Sequence, residues 1–144
     1  MLAYFLRPAI ESERARIFET YRETVGPYIA QAWGWDDDYQ LGSFWKHHPF
    51  GEFQTIRVGD SMAGGLHLEQ DSADLFIRML FLAPEFQGRG IGTKLVGDLH
   101  SVAQDSGKGL SLKVIRTNPA RRLYERLGFL VSNEDDSSLD MRWA

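Results

Sequence analysis

The sequence contains no cysteine, and this absence excludes several kinds of chemistry. Without cysteine there is no disulfide framework, no thiolate zinc site and no thiol nucleophile. Long apolar runs are also missing, because no stretch approaches the roughly 18 apolar residues of a membrane span. The first residues lack the positive region and the apolar core of a signal peptide. We therefore expect a cytoplasmic protein that does not insert into a membrane.

Positive charge is also scarce relative to negative charge. The chain has 16 lysines and arginines against 20 aspartates and glutamates, a formal net charge of −4. Proteins that bind nucleic acid through its phosphates present a basic face, so this balance argues against a nucleic-acid partner. The 144 residues, 43% of them hydrophobic, are enough for one domain with a buried core. We expect a single domain over 1–144, as a monomer or a homodimer.

The apolar spacing predicts an α/β (mixed α+β) fold. The predicted order is β-α-α-β-β-β-α-β-α-β-β, with a central, mostly antiparallel, twisted sheet of about seven strands and helices on both faces. Strands are predicted at 3–7, 53–58, 62–69, 75–82, 110–115, 129–131 and 139–143. The main helices are predicted at 12–25, from 91 to near 107 and from 118 to 128, with a shorter helical turn at 27–33. Ser12 is the predicted cap of the first helix, and Val102 belongs to the apolar stripe of the helix that starts at 91.

The strand at 75–82 is almost continuously apolar, which predicts a central strand buried on both faces. Arg78 interrupts this run. A buried arginine requires a charged partner, and Glu69 on the neighbouring strand is the expected one.

A glycine-rich turn joins this strand to the next helix. Gly88, Gly90 and Gly92 can bring main-chain N–H groups close to a ligand, and the helix that follows has unpaired N–H groups at its positive end. A phosphate is the expected ligand. The dinucleotide fingerprint G-x-G-x-x-G fails because Thr93 occupies the position of its third glycine, and the P-loop pattern is absent.

Two motifs resemble those of the GNAT acyltransferase superfamily. The hexapeptide Q-G-R-G-I-G at 87–92 is similar to its acyl-CoA pyrophosphate loop, Q/R-x-x-G-x-G/A. The segment from Asn118 to Phe129, with Tyr124 and Gly128 inside it, resembles the second signature of the superfamily. The two motifs stand in the order found in the family with a strand between them, so the resemblance covers nearly the whole chain.

The resemblance implies an acetyl-CoA-dependent N-acetyltransferase acting on a primary amine by direct attack in a ternary complex. Main-chain groups of Leu80, Phe81 and Leu82 would bind the pantetheine arm. Asn118 would contact the pantetheine, and Tyr124 would be the general acid for the CoA thiolate. The pyrophosphate loop would comprise Gln87, Gly88, Arg89, Gly90, Ile91, Gly92 and Thr93. No metal is implied.

The general base and the acceptor stay open. Lys113 occupies the position of a glutamate base found in some members of the superfamily, which leaves Glu69, His67 or a water chain. The acceptor would be a small-molecule or peptide amine, and the segment 26–50 corresponds to the variable helices that usually line its site. A non-catalytic acyl-CoA-binding module is the alternative function, although retention of Tyr124 favours an enzyme.

The segment from Trp33 to Tyr39 allows two interpretations. Asp36 can cap a helix that runs to about Trp45, with Asp37 and Asp38 at its positive end and the aromatic rings in the core. Alternatively, Trp33, Trp35 and Tyr39, together with these carboxylates, form an aromatic, negative surface for an ammonium group. The adjacent His47 and His48 point in different directions, which argues against a metal site shared by them.

Overall fold

The computed structural model describes residues 3–144 and confirms the predicted α/β class. The strands are β1 (Phe5–Pro8), β2 (Phe53–Val58), β3 (Ser61–Gln70), β4 (Asp74–Leu82), β5 (Gly109–Ile115), β6 (Leu130–Glu134) and β7 (Ser138–Trp143). The α-helices are α1 (Arg14–Thr24), α2 (Gly26–Trp33), α3 (Asp37–His47), α4 (Ile91–Asp105) and α5 (Ala120–Leu127). The seven strands form one open sheet in the order β1-β2-β3-β4-β5-β7-β6.

The helices before β2 differ in detail from the prediction. Three α-helices precede β2, whereas the predicted order counts two; the turn predicted at 27–33 is a helix at Gly26–Trp33, and the helix that Asp36 was expected to cap is α3. Proline suits the first turn of a helix, where its missing N–H would have no partner in any case. Ser12 is not the cap of α1, because it lies in a 3-10 turn at Glu11–Glu13. Across residues 3–144, no helix is both long and apolar enough to cross a membrane.

Contact density divides the chain into two compact units. The first unit contains the residues up to His67 together with 79–91, and its core is strongly aromatic. The rings of Tyr21 and Phe44 are 4.5 Å apart, and Phe81 of β4 contacts the same cluster. The buried members of this core are Ile17, Phe18, Tyr21, Phe44, Phe53, Met62 and Phe81.

Two glycines let β3 approach β4 closely within the first unit. A Cβ atom on Gly64 would lie 3.0 Å from the carbonyl carbon of Phe81 and closer still to its oxygen. A Cβ atom on Gly65 would lie 2.7 Å from ring atoms of Phe53 and of Phe81. Ala83 N–H donates to the Ala63 carbonyl at 2.7 Å. The small residues of β3 therefore fix the position of β4.

The second unit contains 68–78 and 92–144. Here β5 pairs in parallel with the first part of β4, and antiparallel with β7, which in turn pairs with β6. Asp74 of β4 accepts hydrogen bonds from Ser111 at 2.6 Å and from Arg142 of β7 at 2.8 Å. These bonds and the adjacent charge of Arg142 hold the pKa of Asp74 below its usual value.

Two predictions about burial are wrong. The strand β4 is not buried on both faces, because exposure alternates along it and Arg78 is exposed. The apolar run therefore belongs to a strand with one buried face and one half-exposed face. Val102 is 56% exposed rather than part of the buried stripe of α4.

Candidate active site

The glycine loop adopts a conformation that its sequence makes possible. Gly88 has φ 71° and Gly90 has φ 82°, values that residues with a side chain rarely adopt. The helix α4 begins directly afterwards at Ile91, whose side chain is fully buried. A Cβ atom on Gly88 would have no neighbour within 4 Å, so open space lies beside this main chain. The loop thus presents accessible backbone at the start of a 15-residue helix.

The polar side chains of the loop have separate environments. Gln87 donates from Nε2 to the Leu82 carbonyl at 2.9 Å, which ties the loop to the end of β4. The guanidinium of Arg89 lies 5.9 Å from the centre of the Phe86 ring and is exposed to solvent. Thr93 is also exposed, and Gly92 is half-buried. Gln87, Arg89 and Thr93 are all exposed, and Gln87 is in addition held by the end of β4.

Along β4, the main-chain N–H and C=O groups of successive residues point alternately towards β3 and towards the opposite edge of the strand. The Phe81 carbonyl lies against Gly64, so the polar main-chain groups of Phe81 point towards β3. Main-chain groups alternate in direction along a strand, and those of Leu80 and Leu82 therefore point to the opposite edge. Pairing of β4 with β5 in the described chain covers only Asp74–Ile77 of β4. Of the three predicted pantetheine contacts, Leu80 and Leu82 thus have the suitable main-chain direction and Phe81 does not.

The second motif lies in the second unit, where α5 carries Tyr124. Its side chain is buried and packs at 5.5 Å against the ring of Phe129. Burial raises the pKa of Tyr124 to about 12, because the charged phenolate would lose its hydration. No described residue forms a hydrogen bond with its hydroxyl group, which leaves the O–H available to a ligand.

Asn118 precedes the N-cap position of α5, which Pro119 occupies, so the predicted cap is displaced by one residue although Asn118 still binds the first turn. Its Oδ1 accepts from the Ala120 N–H at 3.0 Å. Its side-chain nitrogen has no partner among the described residues, so this amide can still donate to a ligand. Gly128 ends the helix with φ 123°, as predicted.

The candidate bases occupy three different environments. Lys113 is exposed and lies 3.8 Å from a carboxylate oxygen of Asp140. Glu69 lies 3.8 Å from the Arg78 guanidinium, which confirms the expected pairing, although both side chains are about half exposed. His67 is fully buried, and its Nδ1 lies 2.8 Å from Nδ1 of His48.

The segment from Trp33 to Tyr39 divides into structural and exposed residues. Trp35 packs against the aromatic core and donates from Nε1 to Asp37 at 2.6 Å, and Asp37 also lies 3.5 Å from Arg22. Asp36 caps α3 by accepting from the Tyr39 N–H at 2.9 Å.

The structural interpretation therefore holds for Trp35, Asp36 and Asp37. Trp33 and Tyr39 are 61% and 67% exposed, and Asp38 is exposed beside them in sequence. We call Trp33, Asp38 and Tyr39 the α2/α3 surface.

Comparison with known protein families identifies the family of this chain. The model of the acetyltransferase (GNAT) family matches residues 11–129, which include both motifs. The chain therefore belongs to this acetyltransferase family. No curated protein sequence matched the chain significantly.

Several solved structures share the fold. The PaiA N-acetyltransferase of Thermoplasma acidophilum, in complex with coenzyme A, is 19% identical with a TM-score of 0.73, and the match covers 98% of each chain. Ard1 of Thermoplasma volcanium is 15% identical with a TM-score of 0.71, over 99% of this chain and 97% of that one. Arabidopsis thaliana Naa50, in complex with the bisubstrate analogue CoA-Ac-MVNAL, is 16% identical with a TM-score of 0.66, over 99% of each chain.

Proposed function

We propose that this protein transfers the acetyl group of acetyl-CoA to a primary amine by direct attack in a ternary complex. The observation that carries the proposal is Tyr124, a buried tyrosine with an available hydroxyl group in the second family motif. Because its pKa is raised to about 12, the hydroxyl group stays protonated throughout the physiological pH range. A protein that only binds acyl-CoA has no need for such an acid.

The residues suit acetyl-CoA in three places. The left-handed glycines 88 and 90 and the start of α4 present main-chain N–H groups suited to a pyrophosphate. The main-chain groups of Leu80 and the N–H of Leu82 lie on the edge of β4 that faces away from β3, where they can bind the pantetheine arm and the acetyl carbonyl; the Leu82 carbonyl already accepts from Gln87. The side-chain nitrogen of Asn118 can donate to an amide oxygen of the pantetheine.

The proposed reaction has three steps: attack by the amine, departure of the CoA thiolate, and return of the proton to Tyr124. The neutral amine attacks the carbonyl carbon, and a main-chain N–H of β4 stabilises the oxyanion that forms. As the carbon–sulfur bond breaks, Tyr124 donates its hydrogen bond and then its proton to the departing thiolate. The acetylated amine loses a proton, which returns the phenol to its protonated form through solvent. A positioned acid of this kind contributes roughly 10²–10⁴ in rate.

We further propose that the acceptor is a cationic amine, free or on a peptide, that approaches the α2/α3 surface. Trp33 and Tyr39 offer exposed ring faces, and Asp38 adds negative charge, a combination that attracts ammonium groups. The peptide-bearing ligand of the Arabidopsis relative supports a peptide acceptor as one form of such an amine. The ammonium group must lose its proton before attack, so activity should climb from about pH 6 towards pH 9.

Binding of acetyl-CoA is tested first, by thermal unfolding. At a ligand concentration one hundred times the dissociation constant, the fold should gain about 2.7 kcal/mol. Gly90→Asp should abolish this gain because it adds bulk and negative charge at the proposed phosphate site. Gly59→Asp is the matched control, since Gly59 also has a positive φ but lies in the turn between β2 and β3. Equal gains in stability with acetyl-CoA in both variants would show that the pyrophosphate does not bind at Gly90.

The acceptor is tested by thiol release across a panel of amines. Asp38→Asn and Trp33→Ala should lower kcat/KM for cationic amines more than for neutral ones, and added salt should reduce the difference. Asp136→Asn, which changes an exposed carboxylate in the turn before β7, is the control. Equal losses for cationic and neutral amines would show that the α2/α3 surface does not select charge.

A further inference from the structure

Two histidines that the mechanism does not use form a buried hydrogen bond in the first unit. His48 is the residue after α3, and His67 lies on β3. Their Nδ1 atoms are 2.8 Å apart, and their rings are nearly perpendicular, at 88°. The two side chains are 8% and 0% exposed. This contact joins the end of α3 to the sheet.

The number of protons on the pair controls this bond. A hydrogen bond between two Nδ1 atoms needs one proton, which one ring donates to the lone pair of the other. The bond survives one additional proton, because that proton can bind an Nε2 atom. A second additional proton would place N–H groups on both Nδ1 atoms, so the two donors would face each other at 2.8 Å. Double protonation must therefore separate the rings.

We propose that the His48–His67 bond is a positioning contact that holds α3, and with it Asp38 and Tyr39 of the α2/α3 surface, in place for the acceptor. Asp38 and Tyr39 lie in the first turn of α3, and His48 lies immediately after its last turn. Phe44 fixes the middle of the helix in the aromatic core. The histidine bond fixes the end of the helix, and its loss lets α3 pivot about Phe44. The link to acceptor binding rests on the proposed function, whereas the link to α3 does not.

Other titratable and charged groups lie on the elements around the pair. They include Lys46 and His47 on α3, Glu52 in the turn before β2, Glu69 on β3, and Arg14 and Tyr21 on α1. Lys46, His47 and Glu52 are exposed, and Glu69 lies beside Arg78. Arg14 lies over the rings of Trp45 and Phe50 and pairs with Glu11, and the raised pKa of Tyr21, about 12, keeps it neutral. Protonation of these groups does not change the number of protons between the two Nδ1 atoms.

Two substitutions at His48 test the hydrogen bond, because one keeps a donor at this position and the other removes it. His48→Asn places an amide N–H where Nδ1 was, so it can still donate to His67 but cannot take up a proton. His48→Phe keeps a ring and removes the bond. His47→Asn is the control, because His47 is exposed and its Nδ1 lies 2.8–3.3 Å from oxygens of Ser43, one turn earlier on the same helix.

The first readout is hydrogen exchange of α3, which does not require turnover. At about pH 7.5 the protection of α3 amides in His48→Phe should fall roughly two- to tenfold below that of the parent, the range one net hydrogen bond spans. His48→Asn and His47→Asn should match the parent. Parent-like protection in His48→Phe, or a loss of protection in His48→Asn equal to that in His48→Phe, would overturn the proposal.

The second readout is the steady-state kinetics of the amine. The KM of His48→Phe for the amine should rise several-fold at about pH 7.5, with kcat changed less. A change in α3 exchange without this rise in KM would refute the link to the acceptor. Absence of turnover in the parent would count against the proposed function. The hydrogen-exchange result alone would then test whether the histidine bond holds α3 in place.

Discussion

Gly64→Ala is the substitution whose effect follows most directly from the fold. The new Cβ atom would lie 3.0 Å from the Phe81 carbonyl carbon, and both atoms belong to paired main chains that cannot rotate away. Overpacking costs about 1–3 kcal/mol in ordinary cores, and contact with a backbone places this case near the upper end. Alanine also lowers the conformational entropy of the unfolded state relative to glycine, which offsets at most about 1 kcal/mol of this cost. We expect a net loss of roughly 2 kcal/mol.

This loss is measured by thermal unfolding. A chain of this size loses roughly 2–4 °C in Tm for each kcal/mol, so Gly64→Ala should melt about 4–8 °C below the parent. Gly97→Ala is the matched control, because a Cβ atom there meets nothing within 4 Å and alanine favours the helix α4. Its Tm should stay level or rise. A Gly64→Ala variant as stable as the parent would refute the close approach of β3 and β4.

Three further predictions concern pH and the core. The pKa of Asp74 is lower in the folded chain than in the unfolded chain, because the ionised carboxylate pairs with Arg142. The pairing therefore stabilises the fold at pH values above the ordinary aspartate pKa. This stability is lost as the pH falls through the pKa of the folded state. Asp74→Asn should therefore be less stable than the parent at pH 7, with a difference that shrinks below about pH 4 in urea unfolding. The raised pKa of Tyr124 predicts that kcat shows no alkaline decline from this acid up to about pH 10, and a decline that Tyr124→Phe removes would contradict it. Trp35→Ala should lower Tm by several degrees because it empties part of the aromatic core, whereas Trp33→Ala should not, and equal effects would contradict the division of that segment.

Local patterns in the sequence predicted much of the fold. The glycine spacing correctly predicted a strand, a loop and a helix around Gly88 and Gly90, and Gly128 ends α5 as expected. The capping role of Asp36 was also correctly predicted as one of two interpretations. These features depend on residues within one turn or one loop, so the sequence contains their physical causes.

Features that depend on distant residues could not be predicted in the same way. The apolar run of β4 indicated burial on both faces, but burial depends on which elements cover the strand. The requirement for Gly64 arises from β4, whose Phe81 lies 17 positions further along the chain. His48 was considered only beside His47, whereas its partner is His67 on β3. Alternation of main-chain direction, which separates Leu80 and Leu82 from Phe81, also became visible only with the sheet.

The central claim is tested most directly by the turnover of Tyr124→Phe, measured as thiol release from acetyl-CoA in the presence of an amine accepted by the parent. This substitution keeps the buried ring and removes only the hydroxyl group, and unfolding curves would confirm an intact fold. The account predicts that kcat falls at least tenfold while the affinity for acetyl-CoA changes little. An unchanged kcat would contradict the role of Tyr124 as the acid, and a parent that releases no thiol with any amine would contradict the proposed activity itself.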